Sequence, residues 1–262
     1  MKKALLLILA LWAYPFQVEE PVSKYNSFKA GEWFQFRIHY GIFNASFATM
    51  ELKSEVLNGK SVYHVIGQGK TTGLARLFFK VDDNYESYFD KVDGKPYKFI
   101  RQIDEGGYTK NLEINFDHDA KKATVIDHKK NRTTVLNTKE GIQDLLSAFY
   151  YLRGNYSSKD IEVGEEIVLD LLYDEDETFK FKLKFLGKET LKTKFGKVRC
   201  LKFRPYVQSG RVFKEEESLT LWVSDDENKV PISIKADLAV GSLKADLNAF
   251  KGLRHQFKVD VN

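Results

Sequence analysis

The sequence predicts a mainly β protein, a strongly curved antiparallel meander forming an incomplete barrel with one central amphipathic helix. Three observations carry this. Most of the chain alternates apolar with polar residues, the period of a strand with one buried face. Turn-forming pairs recur at spacings that suit hairpins. One stretch near the middle of the chain switches to helical spacing.

The strands are read from these signals in order. Trp33 to Tyr40 sets Phe34, Phe36, Ile38 and Tyr40 on one side. Ala45 to Leu57 continues the alternation, Asn58-Gly59 tolerates the positive φ of a tight turn, and Lys60 to Lys70 returns as the partner strand. Similar punctuation follows at Asp93-Gly94, Asp104 to Gly107, Asp119 to Lys122, Phe195-Gly196 and Asp225 to Asn228. The helix is expected over 142–153, where Ile142, Leu145, Leu146, Phe149 and Leu152 share a face. Asp144 stands near its positive end, Arg153 near its negative end and Gly154 acts as a stop. A second, shorter helix is expected over Gly73 to Phe79.

Met1-Lys2-Lys3, the apolar run Ala4 to Ala13 and Tyr14-Pro15-Phe16-Gln17 read as a signal peptide over residues 1–17. The apolar block is too short to cross a bilayer, which needs about 20 residues, so a mature chain without a transmembrane segment is expected. The leader style points to the periplasm of a Gram-negative bacterium of the Bacteroidetes type. Residues 18–262 are expected as one β-rich domain of two lobes, about 28–137 and 160–250, joined by the helix. No flexible linker separates the lobes.

Composition excludes several functions. Of 41 basic residues, Lys2 and Lys3 leave with the leader, so 39 stand against 37 acids. That near-neutral, interspersed charge does not provide a nucleic-acid-binding face. Cys200 is the one cysteine, so no intrachain disulfide forms; in an apolar alternating stretch it reads as a small core residue. His118 and His128 sit beside carboxylates, but a hairpin turn between them would separate them by roughly 20 Å along a strand, which disfavours a shared metal. The acidic runs Asp174 to Glu177 and Asp225 to Asn228 read as solvated turns, as does Lys214 to Glu217 at a strand entrance. Neither turn has the ligand pattern of a dedicated calcium loop. Gly67 to Gly73 has the wrong spacing for a phosphate loop, and no nucleophile or zinc motif is present. No cofactor is expected.

Aromatic residues make up 14% of the chain, enough to fill a core and still line a concavity between sheet and helix. Tyr150 and Tyr151 cannot both face that core. One ring is expected at the helix edge, where Arg153 would pack on it or bind an anionic head group. Tyr150, Tyr151 and Arg153 are therefore the candidate ligand-binding residues.

Gly31 to Phe36, Gln143 to Arg153, Leu221 to Asp226 and Val230-Pro231-Ile232 together resemble the bacterial envelope family catalogued as domain of unknown function 3108. The resemblance spans about residues 28–250 and implies an exported, mainly antiparallel β fold, with no activity to transfer to any residue. More loosely, the closing pattern from Trp222 through Leu247 is similar to periplasmic lipoprotein carriers built as half-barrels over a helix. The function expected is a non-enzymatic periplasmic binding or carrier protein for an apolar or amphiphilic envelope component. The alternatives are an envelope assembly protein acting through a protein partner, and a glycan hydrolase with paired carboxylates about 5 to 10 Å apart.

Overall fold

The structure is a computed structural model that describes residues 25–72, 76, 80–156, 161–175, 178–206, 219–238 and 240–260. The expected leader, the Lys214 to Glu217 run and, apart from Arg76, the short helix expected over 73–79 lie outside them.

Fourteen strands form one antiparallel sheet: β1 (Trp33–Tyr40), β2 (Phe43–Leu57), β3 (Lys60–Thr71), β4 (Asp82–Asp90), β5 (Pro96–Glu105), β6 (Tyr108–Asp117), β7 (Lys122–Asp127), β8 (Arg132–Asn137), β9 (Glu166–Leu171), β10 (Phe179–Thr193), β11 (Gly196–Tyr206), β12 (Leu219–Ser224), β13 (Pro231–Asp237) and β14 (Ser242–Lys251). Helix α1 (Leu145–Asn155) follows β8. The chain enters the sheet at its centre with β1 and meanders outward to one edge, β8. It then passes through α1 to the opposite edge, β9, and meanders back until β14 pairs with β1. The expected Asn58-Gly59 hairpin is present, with both residues at positive φ and β2 paired to β3 along its length. Gly67 and Gly69 lie within β3 rather than in a loop.

The sheet is not closed into a barrel, but it curls. Lys194, just after β10, donates to the Asn248 side chain of β14 at 3.1 Å. Four strand intervals separate β10 from β14, about 19 Å in a flat sheet at roughly 4.8 Å each. Edge strands present unpaired backbone groups, so a long meander needs cover at both ends. Here the segment after β9 reaches across. Glu175 receives Lys130 at 2.6 Å and Arg132 at 2.5 Å from beside β8, and Asp174 receives Arg101 at 2.8 Å and Lys110. Gln143 adds a short parallel bridge against the end of β9, with Leu172 N–H donating to its carbonyl at 2.9 Å. The expectation of a solvated acidic turn is thus corrected for Asp174 and Glu175. Cations from β5, β6 and the β7–β8 turn converge there and make it a clamp between the sheet's edges; Asp176 and Glu177 lie outside the described residues.

Helix α1 is shifted from its expected bounds. Asp144 is the N-cap, its Oδ1 accepting the Leu146 and Ser147 N–H groups at 2.8 Å, while Ser147 Oγ accepts the Asp144 N–H. Ile142 is buried before the helix begins, whereas Leu145 is exposed. Gly154 stays helical and does not act as a stop. A side chain there would strike the Tyr25 ring, with its Cβ at 2.1 Å, so the glycine serves close packing. Leu146 and Tyr150 pack with Leu52, Val65, Phe89, Phe99 and Ile114 of the outward-running strands. On the other side Leu152 meets Ile167, Leu183, Leu201 and Val223 of the returning strands.

The Asp144 carboxyl has no exposure and, driven by burial against its hydrogen bonds from Ser87 and the helix amides, is pushed up to about 6. A carboxyl with a raised native pKa binds more protons folded than unfolded, so its contribution is full below about pH 4 and lost as pH rises through about 6. Asparagine caps a helix as well as aspartate does. Chemical denaturation from pH 4 to 7 should therefore show the wild type losing stability relative to Asp144→Asn, by on the order of 3 kcal/mol. A difference independent of pH would show that the carboxyl is not so perturbed.

Candidate ligand-binding site

Arg153, in the last turn of α1, is 3% exposed, and Glu32, just before β1, has no exposure. The guanidinium forks onto the carboxylate, Nη1 to Oε1 at 2.6 Å and Nη2 to Oε2 at 2.8 Å, and its Nε and Nη2 also donate to the Asn228 carbonyl. Four rings surround it, Phe28, Phe34, Phe149 and Tyr150, with centroids 5.2–5.5 Å away. Burial opposes the Arg153 charge, but the Glu32 carboxylate outweighs it and the guanidinium is held above its ordinary pKa. Burial and the same carboxylate push the Tyr150 hydroxyl well up, so it stays protonated and donates to Glu32 Oε1 at 3.3 Å.

Between the C-terminal half of α1 and the returning strands lies an apolar slot of about 60 Å³. Its walls are Phe149, Leu152 and Tyr156 of the helix end, Ile161, and Ile167, Leu183, Leu201, Phe203, Leu221 and Val223 of β9 to β12, with Arg153 and Lys229 as its charged members. The alternation of these strands aims their apolar side chains at the helix. Arg153 is saturated by Glu32. Lys229 is not: its ammonium donates to Ser27 Oγ at 3.1 Å and has no carboxylate in ion-pair range among the described residues. Burial, then the neighbouring Arg153 charge, lowers the Lys229 pKa. The slot is thus apolar, bordered by a half-buried lysine whose ammonium turns to Ser27 and has Asp226 and Glu227 nearby but no ion-pair partner among the described residues.

Of the residues expected from sequence, Arg153 packs on the Tyr150 ring, but that ring lies in the core and not at the helix edge where such packing was expected. Tyr150 is fully buried against Phe28 and Phe89, whereas Tyr151 is the half-buried ring at the helix edge and does not line the slot. The anion on Arg153 is the protein's own Glu32. Sequence reading missed Glu32 and Lys229. The available signal for Glu32 was a carboxylate placed directly before an apolar strand; Lys229 had none, because a positive-φ residue ending an acidic turn looks solvated.

His118 and His128 lie at opposite ends of β7, and no group of three or more metal-ligating side chains occurs among the described residues. Cys200 is buried, with its thiol pushed up to about 12 by desolvation, as befits a core residue. Asp226 accepts the Asn228 and Lys229 N–H groups, closing its own turn. The Asp83 carboxyl is raised to about 6 by burial and by nearby Glu105, but neither acid lines the slot.

An open, curled antiparallel sheet around one helix defines a β-barrel-like fold. The chain belongs to the DUF3108 family, described as protein of unknown function, whose model matches residues 35–248. Among solved structures it is similar to a β-barrel-like protein of domain of unknown function DUF1849 from Brucella abortus. That protein is 10% identical, the match covers 86% of this chain and 98% of that one, and the TM-score is 0.55, a likeness of fold alone. It also matches a DUF1089 family protein from Pseudomonas aeruginosa at 13% identity over 71% of this chain and 87% of that one, with a TM-score of 0.36. No curated protein matches it.

Breaking a buried ion pair leaves an uncompensated charge, at a cost of about 3–5 kcal/mol, while replacing both partners by apolar groups of similar shape is often near neutral. Thermal melts should show Arg153→Met and Glu32→Leu each strongly destabilised, and the double variant recovering most of the loss. Additive losses would show that the two charges are not coupled.

Proposed function

We propose that this chain is an exported, periplasmic binding or carrier protein for an amphiphile, whose apolar end enters the slot and whose anionic end meets Lys229. The supporting observation is that lysine, half-buried at the border of an apolar cavity and without an ion-pair partner among the described residues. An anion there would offset the cost of burying the ammonium. A volume of about 60 Å³ accepts only the end of an apolar chain, so a longer ligand requires the helix to part from β9 to β12. The N-terminal leader supports export.

Protein purified from the periplasm of its native host should begin near residue 18. Its organic extract should contain an amphiphile absent from a mock purification and at least ~5-fold depleted in Lys229→Met. Repeated extracts with no enriched compound would end this reading.

A second reading, an assembly protein acting through a protein partner, is favoured by one surface. Ile42 (90% exposed) and Phe43 (71%) at the β1–β2 tip lie beside Val240 (78%) at the β13–β14 tip, where the Tyr40 hydroxyl donates to the Val240 carbonyl. These tips lie at the far end of β13 from Lys229, roughly 20 Å away at about 3.3 Å per residue, and so do not form the slot's mouth. A photo-crosslinker at residue 42 should trap one partner in cells; a uniform absence of adducts counts against it.

A further inference from the structure

A second concavity has the opposite chemistry. A groove of about 750 Å³ runs over β12, β13, β14, β1 and the curled end of β10, and no residue lines both it and the slot. It is lined by five cations, Arg37, Lys192, Lys194, Lys235 and Lys244, and by two carboxylates, Glu189 and Asp246. Both carboxylates are already engaged. Glu189 accepts the Trp222 indole N–H at 3.0 Å and pairs with Lys202, and Asp246 accepts from Ser233 at 2.6 Å and bonds His39 at 2.7 Å. Among the described residues Lys192 and Lys244 have no ion-pair partner, Arg37 stands opposite Asp246 in the register without closing an ion pair, Lys194 donates only to Asn248, and Lys235 pairs with Asp237 at the end of its own strand.

The register sharpens this. Lys235 and Lys244 are directly opposite one another on β13 and β14. Like charges so placed destabilise a strand pair, and a fold retains such a local conflict chiefly where function requires it. The groove's volume lies within the range of small-ligand sites, about 300–1,000 Å³, and Trp222 supplies an aromatic wall. Its opening is a recess, suited to a compact molecule rather than to a duplex or a flat bilayer.

We infer that this groove binds an anionic saccharide, a sugar carrying phosphate, sulfate or carboxylate groups, with the cations meeting its charges and Trp222 its ring. Lysines and an arginine supply donors to several anionic oxygens at once, and the aromatic wall selects for a ring over a bare ion.

Calorimetric titration of the full chain tests this with a sulfated tetrasaccharide, an uncharged tetrasaccharide of the same size, and inorganic tripolyphosphate. The sulfated sugar should bind at least ~10-fold more tightly than tripolyphosphate, weaken as salt is raised, and have no detectable uncharged counterpart. Lys235→Gln with Lys244→Gln should weaken it at least ~10-fold without lowering the melting temperature, while Lys180→Gln with Lys184→Gln on β10, away from the groove, should not. Equal affinity for tripolyphosphate would overturn the saccharide assignment. Equal effects of the two double variants would overturn the site. Capture by phosphatidylglycerol vesicles without binding of the soluble sugar would replace it with a membrane surface. Because Lys229 and the slot are untouched by these variants, the outcome is independent of the amphiphile reading.

Discussion

The Glu32–Arg153 pair is the constraint on which the rest of the structure depends. Arg153 ends the helix, Glu32 opens the central strand, and the same guanidinium holds the Asn228 carbonyl in the β12–β13 turn. Asn228 in turn accepts the His255 N–H through its side-chain oxygen and donates to the His255 and Gln256 carbonyls. Ser27 closes the circuit by donating to the Arg153 carbonyl at 2.7 Å. Four segments far apart in sequence are thus tied to one almost fully buried charge. A buried pair of this kind adds little net stability against an apolar replacement, but it tolerates one arrangement of partners, since any misregister strands a charge. Its value here is in defining where the helix sits.

That position decides what the sheet can enclose. A meander leaving from its own centre and returning there leaves β8 and β9 as edges. Continuous strand pairing between them would make a closed barrel with the helix inside. Instead the edges are drawn together by the Glu175 and Asp174 clamp and the short Gln143 bridge, while the helix occupies the concavity. Its N-terminal part is packed tightly against the outward strands. Its C-terminal part meets the returning strands less completely, and the slot is the space that remains.

The two concavities divide the chemistry of the surface. One is apolar and bordered by Arg153, paired with Glu32, and by Lys229, which has no ion-pair partner among the described residues; the other is wide, polar and rich in cations. A near-neutral overall charge conceals this separation, because acids and bases balance over the chain while the fold sorts them by face. The curl that brings Lys194 to Asn248 builds the groove by folding the end of β10 toward β14.

Much of the architecture was legible in the residues. Two-residue periodicity, Asn58-Gly59 and the helical stretch at mid-chain are local signals, and local signals survive in the fold because each strand must hide one face and each turn must satisfy its own backbone. The packing of Arg153 on Tyr150 was legible for the same reason, being three residues apart on one helix. The identity of the anion on Arg153 was not, because Glu32 lies 121 residues away and only the tertiary fold joins them. Gly154 illustrates the same limit: it looks like a helix stop until the Tyr25 ring is seen against it. The sequence by itself determined strands, turns and the presence of the helix. Tertiary structure alone decided which charges are paired and which face a cavity, since Coulomb energy and desolvation depend on distance and burial in space, and neither is encoded in separation along the chain.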